Sequence, residues 1–153
     1  MASRPAEMSF RKGLVALDSN NYLDSLAFFE SALNLEERNG TAARRMKYLS
    51  YYGLSLSLAA GRTDEAIEIC ERALAVEFYN PDLYFNVARV YLAAGQRRKA
   101  WRAVCQGLRL EKRHSGLLAI MKEMGVRRRP MVRFLPRNHV VNRLTGRFTS
   151  RLA

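Results

Sequence analysis

The sequence predicts an all-α fold: a stack of three helical hairpins closed by one further helix and followed by a basic extension. Three observations carry that reading. Residues Pro81–His114 lay out two helices around a turn. Tyr84, Val87, Ala88 and Tyr91 mark one helix, Gly95 the turn, and Ala100, Val104, Gly107 and Leu108 a second helix. The same order of large, small and turn residues returns twice upstream. Finally, the chain has 153 residues, which suits one domain, and it holds no apolar run long enough to span a bilayer.

Taken in order, the first hairpin reads Gly13 and Ala16, a turn at Asn20-Asn21, then Ser25, Phe29 and Ala32-Leu33. In the second, Leu49, Tyr52, Gly53 and Leu56 give the large, large, small, large pattern. Gly61 makes its turn, and Thr63-Asp64-Glu65-Ala66 through Ala73-Leu74 its second helix. The spacing from Gly53 to Gly61 is eight residues, against seven from Ala88 to Gly95, so the second copy holds one extra residue. From Ser25 to Ala66 is 41 residues and from Ala66 to Ala100 is 34, which places the excess around Glu37–Arg45 and predicts one long flanking helix. Asn80-Pro81-Asp82 supplies a capping side chain, a proline where no N–H is needed, and an acid at the positive helix end. Thr63 with its two acids reads as another helix start, and Gly61 and Gly95 as helix stops. The small residues Gly53, Ala66, Ala88 and Ala100 mark close helix approaches, while Leu83, Tyr84, Val87, Tyr91, Val104 and Leu108 fill the space between layers. Ser115 caps a last helix to Met124, carrying Leu117, Leu118, Ile120 and Met121, which Gly125 stops.

This order of residues resembles the 34-residue tetratricopeptide repeat (TPR), a helical hairpin that buries its apolar face only by stacking on copies of itself. The resemblance covers residues 6–114 and implies a right-handed α-α superhelix. Its repeats are expected at about 6–39, 46–80 and 81–114, with a capping helix at 115–124 and an arginine-rich extension at 125–153. It also implies a non-catalytic protein–protein interaction module: an adaptor, scaffold or assembly factor binding a peptide segment in its concave face. The positions that line that face in the family fall on Phe10 and Leu14, on Ser50, Tyr51 and Leu54, and on Phe85, Asn86 and Arg89. Phe10, Leu14 and Tyr51 equally suit packing between helices. One subgroup clamps the acidic C-terminal tails of heat-shock chaperones through lysines and asparagines. Here Phe10 and Leu14 replace the first lysine and asparagine and Asp82 a later lysine, which argues against that subgroup.

No phosphate loop, nucleophile elbow or metal-ligand spacing is present, so neither an enzyme nor a metal or other cofactor is expected. Cys70 and Cys105 read as buried thiols of a reduced, cytoplasmic protein, and the N-terminus resembles no secretory signal.

The net charge is +12, and eight of those charges lie in residues 125–153, where eight arginines stand without an acid. Residues 1–124 hold 18 basic and 14 acidic side chains and are nearly balanced by comparison. Arg127, Arg128 and Arg129 precede Pro130, and Arg133 stands among Met131, Val132, Phe134 and Leu135. Farther on, Arg143, Arg147 and Arg151 recur one step before Leu144, Phe148 and Leu152. On a helix this gives neighbouring basic and apolar stripes. Three readings of the extension stay open: a solubilising tail, a segment that docks on its own array or on a partner, and one that contacts nucleic acid or anionic lipid. The partners expected are therefore a protein or peptide, with self-association and a tail-bound anionic surface as alternatives.

Overall fold

In the computed structural model, residues 4–36 and 42–125 are described, and they form seven helices. These are α1 (Arg4–Asp18), α2 (Tyr22–Glu36), α3 (Ala42–Ala60), α4 (Thr63–Val76), α5 (Pro81–Ala93), α6 (Arg97–Leu110) and α7 (Ser115–Met124). Helices α1/α2, α3/α4 and α5/α6 pair as hairpins. Each hairpin packs on the next, and α7 closes the stack against α5 and α6. No described helix is long and apolar enough to cross a membrane.

The hairpin turns follow from residues that accept a left-handed backbone. Asn20, Gly61 and Gly95 have φ of 59°, 65° and 72°, values that glycine, and asparagine next, adopt at little steric cost. After α1 and α5 the closure is the same: Asn21 N–H donates to Ala16 O and Gln96 N–H to Tyr91 O, both at 2.8 Å. After α3, Gly61 N–H instead donates to Ser57 O at 3.2 Å. The irregular turn falls in the copy with the extra residue, whose first helix, α3, runs to 19 residues.

Two helix starts agree with the sequence expectation and one departs from it. Asn80 does cap α5, accepting from Asp82 N–H at 3.1 Å, with Pro81 behind it. Helix α4 begins at Thr63 as expected, with Arg62 at the cap position offering no side-chain bond. At α7 the cap is His114, whose Nδ1 accepts from Leu117 N–H at 3.2 Å, and Ser115 lies inside the helix. An imidazole nitrogen can accept at a helix start as a hydroxyl does, a role the sequence pattern does not reveal.

The core is one cluster running from Ala6 and Phe10 through Leu54, Cys70 and Val87 to Val104, Leu117 and Ile120. Small residues set its helix spacing. A Cβ on Gly53 would stand 2.8 Å from Cys70 Sγ and 3.3 Å from the Ala66 carbonyl oxygen, so α3 and α4 meet at a distance only glycine allows. Ala66, Ala88 and Ala100 are fully buried at such approaches. Cys70 is a buried free thiol as expected, whereas Cys105 is free and only half-buried.

Candidate functional site

Gly13, Gly53 and Ala88 occupy one position in the three hairpins, which makes Phe10, Ser50 and Phe85 equivalent, and likewise Leu14, Leu54 and Arg89. The structure gives these equivalents different fates. Phe10, Ser50, Leu54 and Asn86 are buried and present no surface to a peptide, so the expected groove loses half its lining. Leu14, Tyr51, Phe85 and Arg89 remain partly exposed.

The physical reasons are local. Phe10 stacks on Tyr48 at 4.5 Å between centroids, meets Tyr51 edge-on at 5.2 Å and tilts against Phe29 at 5.4 Å. Four rings thus fill the inner junction of the first two hairpins, with Lys47 Nζ 5.5 Å above Phe10. Ser50 accepts from Asn86 Nδ2 at 3.2 Å, and its carbonyl accepts from the Cys70 thiol at 3.5 Å. Its polar atoms are therefore spent inside the stack, as buried polar groups must be.

A cleft opens at the C-terminal end of the described stack. Of about 470 Å³, it is lined by Leu58 of α3, by Phe85, Arg89, Leu92 and Ala93 of α5, and by Gly116, Ala119, Ile120 and Glu123 of α7. Gly116 makes room for it: a Cβ there would stand 2.6 Å from the Phe85 ring. The Arg89 guanidinium lies 5.6 Å from the Phe85 centroid. Among the described residues Arg89 has no acid within ion-pair distance, although Glu123 borders the same cleft.

Asp82 anchors the cleft's edge. It takes Lys47 Nζ of α3 at 3.4 Å and His114 Nε2 at 3.1 Å, and so joins two hairpins to the closing helix. With Nδ1 accepting the cap bond, the Nε2–H must donate to Asp82 Oδ1. Tyr51 stays a neutral phenol: burial raises its pKa first, and Asp82 and Asp18 add to that against the opposing pull of Arg89. Arg127, Arg128, Arg129, Arg133, Arg143, Arg147 and Arg151 lie outside the described residues.

The sequence reading missed Leu58, Leu92, Lys47, His114 and the α7 lining. Their common signal was weak. Helix α7 is apolar on more than one side, so nothing local says which side faces α5, and His114 and Asp82 are 32 residues apart.

The tetratricopeptide repeat family matches residues 57–118. Comparison with curated proteins finds no match. Among solved structures, the Arabidopsis OM64 TPR domain superposes with a TM-score of 0.59 at 17% identity, over 78% of this chain and 93% of that one. Such an identity speaks for the shared helical stack alone. Residues 57–118 thus carry a tetratricopeptide repeat signature, and they sit in a stack of three hairpins and a closing helix that shares its fold with a solved tetratricopeptide domain.

Proposed function

We infer that this protein is a non-catalytic adaptor or assembly factor that holds a peptide segment of its partner in the cleft between α5 and α7. Tetratricopeptide stacks are protein-interaction modules in general. The observation that carries the narrower reading is Arg89, a cation with no acidic partner among the described residues, beside the apolar walls of Phe85, Leu58, Leu92 and Ile120. Such a site suits an apolar anchor followed by a carboxylate, which a guanidinium grips through two parallel bonds. Affinity then rests on a few buried groups, as in most interfaces. Asn86 drops out of the recognition set because it is committed to Ser50.

A displayed random-peptide library panned against the full chain tests this. Enriched sequences should pair a large apolar residue with Asp, Glu or a terminal carboxylate. Phe85→Ala should weaken them about tenfold or more, and Arg89→Ala should erase the acidic preference. Peptides that bind wild type and Phe85→Ala equally would place recognition elsewhere.

A further inference from the structure

The three outer helices differ in charge far more than the three inner ones. Helix α4 carries Asp64, Glu65, Glu68 and Glu71 against a single Arg72, whereas α6 carries Arg97, Arg98, Lys99, Arg102 and Arg109 and no acid. The loop after α6 adds Lys112 and Arg113 beside Glu111. Arg98, Arg102 and Arg109 are all exposed. Their spacing of four and then seven residues puts them on one face, along about 16 Å of helix. Among the described residues they form no ion pair, while Lys99 is taken up by Glu71 at 3.7 Å.

Aromatic rings accompany this row. Trp101, next to Arg102, is 38% exposed. Phe78 and Tyr79, 63% and 60% exposed, stand edge to face at 5.5 Å in the loop after α4. Because α4 and α6 run the same way in successive hairpins, that loop lies at the edge where α6 ends. Arg97 also donates to Met124 O at 3.3 Å, so the chain leaves α7 beside the start of α6. The eight further arginines of residues 125–153 follow from that point.

We propose that the outer face of α6 binds single-stranded nucleic acid, the arginine row following the phosphates and Trp101 stacking on a base. Guanidinium groups match phosphate oxygens bidentately, and rings interleaved with cations are what a strand with unpaired bases requires. A lipid surface would call for a broader apolar face than Trp101 and Leu110 supply. The acidic α4 bounds the site on one side and excludes the strand from it. This face is distinct from the α5–α7 cleft and does not depend on it.

Trp101 is the chain's single tryptophan and reports the contact directly. The full chain is titrated with oligo(dT) and oligo(U) of about 20 nucleotides, a length that spans such a face, while tryptophan emission is followed. Heparin and vesicles of phosphatidylcholine and phosphatidylglycerol serve as comparison probes. Quenching by either strand, reversed by salt, is the expected result, with heparin competing but not quenching. Arg98→Ala, Arg102→Ala and Arg109→Ala together should weaken binding about tenfold or more and flatten the log–log salt slope by about 2. All three side chains are exposed, so the triple variant should fold, which its circular dichroism would verify. Unquenched emission, unchanged affinity in the triple variant (which would leave binding to residues 125–153), or stronger binding to vesicles than to strands would overturn the proposal.

Discussion

The inner junction between the first two hairpins and the one between α5 and α7 use equivalent positions to opposite ends. At the first, Phe10 is enclosed by Phe29, Tyr48 and Tyr51. At the second, the equivalent Phe85 faces Gly116 and Ala119, and a cleft remains. What decides between core and groove is the bulk of the opposing layer. Where aromatic residues come from both sides the junction closes, and where a glycine and an alanine oppose one ring it stays open.

The largest consequence concerns the closed side. Phe10→Ala removes the ring that touches three others and should cost about 3–5 kcal/mol, because such a site refills poorly. Phe85→Ala, beside an existing cleft, should cost markedly less. Urea unfolding of both variants provides the check. Equal losses would mean that the two junctions are packed alike, and the contrast would fail.

The scaffold was readable because its determinants are short-range. A glycine or asparagine at each turn, a small residue at each close approach and the Asn80-Pro81 start act within a few residues of themselves, so a linear pattern displays them. The cleft was less readable: of the eight family positions only Phe85 and Arg89 line it. Family positions place Phe10, Ser50, Leu54 and Asn86 on the inner surface, yet whether an inner position is exposed depends on the partner layer. Asn86 illustrates it: only its bond to Ser50, 36 residues away, turns it from a recognition group into core. The cap on α7 escaped for a similar reason, since His114 works through Asp82 in another helix.

A middle-sized effect sharpens the closed side further. Burial pushes the Cys70 thiol from an ordinary value near 9 up to about 12. A pKa raised in the folded state gives stability that is complete below the unfolded value and fades as pH climbs toward the folded one. From pH 8 to about 10.5 this thiol alone should therefore withdraw about 2 kcal/mol. Tyr48, Tyr51 and Tyr91, also raised by burial, begin to add to the loss near the upper end. Urea midpoints at the two pH values should fall less in Cys70→Ala than in wild type. Parallel falls would show that the thiol is not the source.

The smallest effect falls on the open side, where α7 forms one wall of the cleft. His114 secures that wall twice, through the Leu117 cap and through Asp82. Removing it in His114→Ala should cost about 1–2 kcal/mol, the usual worth of a helix cap with one additional hydrogen bond. Because Lys47 still holds Asp82, the loosening should stay local. Amide hydrogen exchange should then quicken in Leu117–Met124 while α1 to α4 keep their protection. Uniform acceleration across all helices would make His114 a global core residue, and unchanged exchange in α7 would leave the cleft's wall standing without it. Only the local outcome fits a cleft wall whose N-terminal end is held by His114 while Arg97 still holds the carbonyl of Met124 at the other end.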